Sequence, residues 1–532
     1  MTPKPPTMTA STFDELRRAL PPSRFAQGDV ERMVYSRDQW PRTLFSVRDG
    51  HPVISPPDLI IWPESTHEVA EVLRIAARHR TPVVPWGAGS GVCGGAIPLS
   101  GGIVLDLKRL SAILEVNTED HLATFQTGIL GQILEDQLNL RGLTLGHFPS
   151  SISCSTLGGW LATRSAGQCS TRYGKIEDMV EAIEVVCANG EILRCTAHDY
   201  PDLQQIIVGS EGTLGVITEA TMRVHPVPET RLFRAYRFPR IAAGAEGIRR
   251  IMQRGLRPAV LRLYDELDTL VASSGDEGGD HRTILASAIG LLTRGHDDAP
   301  KSTTATSVEG GSRLAHLKDR ALNSLLGRAG VVNRVGDWLL PRLGGGCLLI
   351  AGYEGTPAET ETEAALGHAE LLAAGGKDLG EGPATHWFAH RHAVSYKQSP
   401  LYAAGGFVDT MEVAATWDRL LGLYEAVRKA ISPFAIIMAH FSHAYQDGCS
   451  IYFTFAASAQ PRARAEQLYD EIWQKGLTAV LRAGGTISHH HGVGYSKASF
   501  MADEHGTSIN VFRQLKEVLD PQGILNPGKM GL

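Results

Sequence analysis

The stretch TISHHHGVGYSK, residues 486–497, places His489, His490 and His491 side by side before a glycine pair. Imidazole takes up and releases protons near neutral pH, and it also binds transition metals. If the segment were a strand, His489 and His491 would face one side and His490 the other. We therefore predict that these histidines serve proton transfer or hold a metal.

A tyrosine in the apolar segment CSIYFTFA is a second candidate for proton transfer. Strand alternation puts Ile451, Phe453 and Phe455 on one face and Tyr452 on the other. A tyrosine in such a position commonly faces solvent or donates a hydrogen bond to a buried carbonyl. If a cation lowered its pKa, its phenolate could instead accept a proton. The residue pattern leaves both roles open for Tyr452.

Three segments rich in Gly, Ser and Thr could bind an anion. In PVVPWGAGSGVCGG the glycines are spaced GxGxG, but the following AIPLSGGIVLDL predicts a strand rather than a helix, which excludes a Rossmann fingerprint. Two further segments, 146–180 and 208–226, have the same composition. A glycine-rich loop can be a tight surface turn, or its N–H groups can wrap a pyrophosphate. Three such loops together predict the walls of a groove for an anionic cofactor.

The elements that must position these groups divide the chain into four parts. Residues 1–50 are predicted to be an irregular extension and 51–228 a cofactor-binding domain. In the second of these parts, the capping-box spacing of Ser65 and Glu68 predicts the start of a helix. Residues 229–480 alternate helices and strands and predict a second α+β domain, interrupted by a mobile loop at 272–313. Residues 481–532 are predicted to complete the cofactor site.

Composition indicates a soluble enzyme. The 532 residues are 43% hydrophobic and carry a net charge of -6, which gives no reason to expect nucleic acid as a partner. The 7 cysteines are scattered without a CxxC pair, as in a reducing compartment. Neither a signal peptide nor a long apolar run is visible, so we expect a cytoplasmic protein.

The glycine-rich segments resemble the flavin-binding domain of the vanillyl-alcohol oxidase and para-cresol methylhydroxylase (PCMH) superfamily. GSEGTLGVITEATMRVHP and the terminal LDPQGILNPGKM carry this resemblance over about 50–228 and 480–532, and STLGGWLATRSAG, YGKIEDMV and SHHHGVG narrow it to the alkylglycerone-phosphate synthase family. The resemblance implies an α+β fold in which a PCMH-type FAD-binding domain is covered by a cap domain. Such enzymes exchange the acyl chain of acyl-dihydroxyacetone phosphate for a fatty alcohol without net redox.

Carried over to this chain, the resemblance implies an FAD site, proton transfer by Tyr452, and a place for His489, His490 and His491 in the active site. The residues implied to contact FAD are Pro85, Trp86, Gly87, Ala88, Gly89, Ser90, Gly91, Ser150, Ser151, Ile152, Ser153, Cys154, Ser155, Thr156, Thr163, Arg164, Ser165, Ala166, Glu211, Gly212, Thr213, Leu214, Gly215, Val216 and Ile217. Ser90 stands near the position where superfamily members with covalent flavin have a histidine, so we expect FAD to be bound non-covalently.

The substrate-binding residues depart from the pattern of the resembled family. Where those synthases have an arginine thought to hold the substrate phosphate, this chain has Gln398, with Lys397 and Arg391 nearby. Arg262 matches a further family arginine, although it could instead pair with Asp265. This departure keeps open an oxidoreductase that acts on a 2-hydroxy acid or an alcohol.

A metal is the competing explanation of the histidines. Related 2-hydroxyacid dehydrogenases hold a metal with histidines and a glutamate, and this chain offers His440 and His443 besides the histidine run. Because His490 and Tyr452 replace two of those ligands, we expect no metal. The substrate is expected to be a small molecule or a lipid, and a homodimer and a peripheral membrane contact remain open.

Overall fold

The computed structural model describes residues 8–50, 55–196, 198–273, 322–340, 345–392, 401–402 and 404–532. The chain forms two units, one made of Met1–Val227 and Ile487–Leu532 and the other of Pro228–Thr486. We call them the first and the second unit and describe each by itself. The loop predicted at 272–313 lies outside the described residues from 274 onward.

The first unit begins with a small sheet that carries the first glycine-rich loop. Its strands, in spatial order, are Phe25–Ala26, Leu59–Ile61, Ile103–Asp106 and Val83–Trp86. The last three are mutually parallel, and the chain passes from Val83–Trp86 to Ile103–Asp106 through a loop rather than a helix. The prediction that this loop is not a Rossmann turn is confirmed.

The predicted helix beside this sheet spans Thr66–His79. The side chain of Ser65 accepts a hydrogen bond from the backbone N–H of Glu68 at 3.2 Å and so caps the helix. The apolar face of the helix is fully buried in one core with strands 59–61, 83–86 and 103–106.

The N-terminal region is helical, so the prediction of an irregular extension at 1–50 is wrong. Three helices span Ala10–Ala19, Asp29–Val34 and Pro41–Arg48. Pro41 stands in the first turn of its helix, where a missing N–H costs nothing. Leu16 is completely buried in the same core as helix Thr66–His79. Pro41 was therefore a sign of a helix start rather than of irregular chain.

A five-stranded antiparallel sheet and short helices complete the unit's central part. The strands, in spatial order, are Ile113–Asn117, Leu122–Gln126, Val216–Arg223, Val180–Val186 and Ile192–Thr196. A two-stranded pair joins Leu143–Thr144 to His225–Pro226. The helices are Gly131–Asn139, Leu157–Thr163, Ser170–Tyr173, Ile176–Met179 and Pro201–Ile207. A continuous apolar core beneath the sheet includes Phe125, Trp160 and Ile183.

The C-terminal residues belong to the first unit. They form helices Met501–His505 and Ile509–Leu519, and Leu525 then makes a parallel bridge to Val83. The backbone N–H of Asn526 donates to the carbonyl of Val83 at 2.8 Å, directly before the first glycine-rich loop. The chain's last residues thus help to fix that loop.

The second unit is built on a seven-stranded antiparallel sheet. Its strands, in spatial order, are Lys377–Gly380, Thr230–Phe238, Cys347–Gly355, Val260–Tyr264, Ile436–Ala444, Gly448–Ser458 and Gly406–Thr416. Its helices are Ile241–Gln253, Glu266–Ser273, Ala329–Leu339, Pro357–Ala373, Gly382–His390, Trp417–Ile431 and Arg462–Arg482. In strand Gly448–Ser458 the residues Ile451, Phe453 and Phe455 are completely buried and Tyr452 is half-buried, which confirms the predicted alternation.

Candidate active site

The first glycine-rich loop leaves no room for side chains. Gly89 has φ +66°, and a Cβ there would lie 2.3 Å from the indole ring of Trp86. A Cβ on Gly87 would lie 2.3 Å from Oγ1 of Thr156, and one on Gly212 would lie 2.9 Å from Cγ of Pro85. The three segments predicted to form one groove therefore lie against each other in the first unit.

Unsatisfied backbone donors make this loop fit a pyrophosphate. No described residue accepts a hydrogen bond from the backbone N–H of Ala88, Gly89 or Ser90. These residues are buried or half-buried, and a buried N–H without a partner is unfavourable. Successive N–H groups in a glycine-rich loop suit an oxyanion. The donor set thus fits the diphosphate of FAD, which residues 87–91 would hold.

In the second segment, several side chains are used inside the domain. Ser155 accepts a hydrogen bond from Nε1 of Trp160 at 2.8 Å, and Thr156 caps helix Leu157–Thr163. Arg164 donates to the carbonyls of Gln205 and Val208. It thereby fixes the third segment to the second. For Arg164 the structure indicates a part in shaping the groove rather than a direct contact of its guanidinium with a cofactor.

The third segment is tied to the C-terminal part of the chain through Glu211. This residue has φ +51°, and its carboxylate accepts hydrogen bonds from the backbone N–H groups of Val493 at 2.6 Å and Gly494 at 2.8 Å. Burial raises the pKa of the carboxyl, while the two N–H groups and the nearby lysines Lys497 and Lys529 oppose that shift. Glu211 therefore positions the loop that contains the histidine run.

The histidine run is a loop rather than a strand, so the alternation that a strand would impose on its side chains does not occur. Nδ1 of His489 lies 2.9 Å from Nδ1 of His490, and the rings of His490 and His491 meet edge to face at 4.8 Å. The following Gly494 has φ +54°, and a Cβ there would lie 2.2 Å from the carbonyl oxygen of Cys93. Its positive φ, like the φ of +80° at Gly492, is incompatible with an extended strand. The three imidazoles consequently lie next to each other.

A fourth imidazole in the first unit was not among the predicted site residues. His147 is 1% exposed, its ring packs on Trp160 at 4.7 Å, and its Nε2 lies 3.2 Å from Oγ of Ser165. Burial, followed by the charge of His490, lowers the pKa of His147 to about 3, so the ring is uncharged at neutral pH. The sequence signal was its place at the start of the second glycine-rich segment.

In the second unit, four side chains form a cross-strand ladder. The strand registers place Tyr264 opposite His440, His440 opposite Tyr452, and Tyr452 opposite Glu412. The rings of His440 and Tyr452 stack at 4.8 Å with an interplanar angle of 15°. Since directly opposed residues share a face of the sheet, the ladder gathers these polar groups on one side.

Tyr452 keeps its proton in this environment. Burial raises the pKa of the phenol, and the neighbouring carboxylate of Glu412 raises it further, while Arg262 acts in the opposite direction. The positive charge of Arg262 therefore does not turn Tyr452 into a phenolate, which was one of the two roles that the residue pattern allowed. Tyr452 is therefore a protonated phenol in this environment.

Arg262 joins the ladder through His440. Its Nη2 lies 2.5 Å from Nε2 of His440, and Nδ1 of His440 lies 3.0 Å from Oδ2 of Asp268. The alternative partner, Asp265, binds Arg428 at 2.8 Å and the backbone N–H of Ala439 instead. Burial, with the positive charge of Arg262, lowers the pKa of His440 well below its usual range. The imidazole is neutral and bridges a carboxylate and a guanidinium.

The structure also describes two of the other residues that were considered for binding a metal or the substrate. Both ring nitrogens of His440 already have partners, which argues against this histidine as a metal ligand. Arg391 donates to the carbonyl of Phe388 in its own helix and stacks on that ring at 3.9 Å. Lys397 and Gln398 lie outside the described residues.

Comparisons with known proteins agree with the flavin-binding fold. The profile of the FAD binding domain matches residues 57–196, and that of the FAD linked oxidases, C-terminal domain, matches residues 227–530. The two matched domains and the glycine-rich loops define a flavoprotein. The chain belongs to the FAD-linked oxidase family, and this membership confirms the predicted superfamily, the α+β fold of PCMH type and FAD as the cofactor.

Among its relatives is the alkyldihydroxyacetonephosphate synthase of Dictyostelium discoideum, which is 30% identical over 541 residues, covering 99% of this chain and 81% of the relative. A solved structure of an alkyldihydroxyacetonephosphate synthase superposes with a TM-score of 0.74 at 27% identity, covering 98% of this chain and 86% of that one. The glycolate oxidase subunit GlcD of Bacillus subtilis (strain 168) is 29% identical over 535 residues, covering 98% of this chain and 97% of the relative.

Among the described residues, no helix combines the length and apolarity needed to cross a membrane.

Proposed function

We propose that this chain is an FAD-dependent alkyl transferase of the alkyldihydroxyacetonephosphate synthase type. It releases the fatty acid from acyl-dihydroxyacetone phosphate and joins a fatty alcohol in its place through an ether bond, with no net oxidation. Support comes from the similarity to synthases over nearly the whole chain. The observation that carries the proposal is the ladder, in which a protonated Tyr452 stacks on a neutral His440 that also contacts Arg262.

FAD, when bound, supplies the redox-active ring on which this exchange depends. The residues of the chain provide binding and proton transfer. Arg262 offers a guanidinium to the substrate's anionic group, since planar N–H pairs match phosphate and carboxylate oxygens. Tyr452 holds a proton on its phenol oxygen and can donate it only to a strongly basic atom of the reacting substrate, while the fatty acid leaves as its carboxylate.

The incoming alcohol must lose a proton, and a protonated phenol cannot take it. We assign this step to the histidine run, because imidazole accepts protons near neutral pH. His490 is the best placed of the three to be held in one orientation, since it is 7% exposed and its ring contacts both His489 and His491.

A second candidate function is oxidation of a 2-hydroxy acid. It is favoured by the similarity to the glycolate oxidase subunit, which covers 97% of that relative. Arg262 could bind the carboxylate of such a substrate as readily as a phosphate.

One anaerobic experiment separates the two functions. The FAD-loaded protein is mixed with palmitoyl-dihydroxyacetone phosphate and hexadecanol, or with glycolate, while the flavin absorbance is followed. The transferase yields an ether product and free palmitate, and the flavin is oxidised at the end. Lasting bleaching by glycolate without an ether product in the first mixture would show that the proposed function is wrong.

A further inference from the structure

The guanidinium of Arg262 is held by a chain of side chains that reaches into the core of the second unit. Arg262 stands on strand Val260–Tyr264, His440 on Ile436–Ala444 and Asp268 on helix Glu266–Ser273. Because Tyr264 is the direct partner of His440, Arg262 is the diagonal neighbour on the same face. The sheet thus places the imidazole beside the guanidinium without any special loop.

Hydrogen bonding determines which ring nitrogen of His440 carries the proton. A guanidinium only donates, so Nε2 of His440 must accept from Nη2 of Arg262, and the ring proton must be on Nδ1. That Nδ1–H then donates to the Asp268 carboxylate at 3.0 Å. Asp268 therefore selects the tautomer of His440 that can hold Arg262.

Arg262 keeps donors for a ligand. The side chain as a whole is only partly buried, whereas its Nε is buried and has no hydrogen-bond partner among the described residues, so one donor of the guanidinium is left unsatisfied inside the second unit. Aromatic rings confine the group on two sides, with Tyr264 at 5.6 Å and Trp387 at 5.8 Å from Cζ. A guanidinium has five N–H donors, so an oxyanion can bind to those that His440 does not use.

We propose that Asp268 and His440 are positioning residues that orient Arg262 to bind the oxyanion of the substrate, a phosphate or a carboxylate. The inference rests on the proposed function for its substrate but concerns binding rather than transfer. Removing Asp268 frees His440 to adopt the other tautomer, which presents an N–H to Arg262 and turns the guanidinium away.

The test measures equilibrium binding of dihydroxyacetone phosphate, and separately of glycolate, to the FAD-loaded protein by calorimetry. We expect Arg262→Met to abolish binding of the anion used by the enzyme, and Asp268→Ala, which has no acceptor for the Nδ1–H of His440, to weaken it about tenfold, the effect of losing one hydrogen bond. Asp268→Glu should recover part of this loss. His440→Gln, whose amide oxygen can still accept from Arg262, should bind better than His440→Leu.

The pH dependence of anion binding is a measurement that a purely structural role of Asp268 would not change. Burial raises the pKa of Asp268 to about 6, with Arg262 opposing. The other titratable groups near this carboxyl are His440, Tyr264 and Asp265. Binding should therefore weaken as pH falls through about 6 in the wild type but not in Asp268→Ala, which has no group to titrate at this position. Because both proteins are measured with the same ligand, ionisation of the ligand affects both binding curves equally and cancels in the comparison.

Asp378→Ala is the matched control, because it removes a carboxylate that binds Arg234 at 2.6 Å in the same unit. It should leave anion binding unchanged, and thermal midpoint and flavin content verify that each variant is folded. Unchanged binding in Asp268→Ala or in Arg262→Met would overturn the inference, as would failure of both anions to bind. If anion binding follows the expected pattern but no ether product forms, the inference stands and the proposed transfer fails.

Discussion

Glu211 and Gly494 are 283 positions apart in the chain, yet Oε2 of the glutamate accepts the backbone N–H of the glycine at 2.8 Å. The other carboxylate oxygen accepts from Val493, so one buried side chain links the third glycine-rich segment to the loop of the histidine run. This link stabilises the candidate site through contacts that involve no cofactor.

Glu211→Gln should destabilise the protein, because an amide nitrogen in place of one oxygen would face an N–H group. Leaving a buried donor without an acceptor costs about 1–3 kcal/mol. We expect a lower thermal midpoint and weaker flavin retention on gel filtration. Glu119→Gln, on the surface of the same unit, is the control. Equal midpoints for the two variants would contradict the role assigned to Glu211.

Gly89→Ala should impair FAD binding. The new methyl group would collide with Trp86, and the positive φ adds strain. Gly142→Ala is a matched control, since Gly142 has φ +71° but open space where a Cβ would go. Titration of the apoprotein with FAD should show a much larger loss of affinity for Gly89→Ala. Similar losses in both variants would mean that backbone strain alone, and not the shape of the loop, is responsible.

Tyr452→Phe should retain the fold and FAD while turnover falls about 10²- to 10⁴-fold, the usual contribution of a general acid. Tyr200→Phe, at a tyrosine that is 69% exposed, should behave as wild type. Turnover is measured on each substrate named above. Wild-type turnover of Tyr452→Phe on all of them would remove this residue from the mechanism.

The same assays should be insensitive to chelators and to added zinc, because the mechanism assigns the imidazoles to proton transfer. Elemental analysis of the purified protein is the accompanying measurement. A stoichiometric metal that is lost together with activity would favour the 2-hydroxyacid oxidation instead.

Acid precipitation should release the flavin from the protein, because Ser90 cannot form the bond through which a histidine carries covalent flavin. The absorbance of the supernatant and the pellet gives the result directly. Yellow colour in the pellet would point to Cys93, which is buried beside the loop.

Stability should change with pH through Asp38. Burial raises the pKa of this carboxyl from 3.8 to about 6, although it accepts backbone N–H bonds and lies near Lys529. Between about pH 4 and 6 the folded state holds a proton that the unfolded state has lost, so the free energy of unfolding falls as pH rises through that window, by about 3 kcal/mol in total.

Asp38→Asn should remove this contribution, because the amide does not titrate. The stability difference between variant and wild type, measured by denaturant unfolding, should then shift in favour of the variant from pH 4 to pH 6.5. Asp29→Asn, at a carboxylate whose side chain is 98% exposed, should show no such shift. A constant difference across the range would contradict the raised pKa.

Local patterns in the sequence predicted much of the fold. The capping serine Ser65 and the alternation around Tyr452 each depend on neighbours a few residues apart, and both were predicted correctly. The glycine-rich loops were also visible, since close backbone approach restricts the residue type whatever the partner is. The N-terminal helices were missed because Leu16 and Phe45 carry too little local pattern to reveal their burial in a distant core.

The chemistry of the site was predictable in residue type but not in contacts. Asp268 and His440 are 172 positions apart, and no local spacing indicates their hydrogen bond. The side chain of Glu211 looked like part of a cofactor wall, whereas it holds another segment of the same chain. Such pairings depend on strand order and on chain reversal, which a single sequence does not display.

The first unit has a consequence for how the protein is made. Its small sheet includes the bridge between Val83 and Leu525, so the residues around Leu525 must be synthesised before the first unit can be completed. The second unit is one uninterrupted stretch of the chain, so all of its residues are synthesised before the first unit is complete. Loading of the cofactor therefore has to wait until residues 487–532 have been synthesised, and a chain cut off before Leu525 should fail to retain it.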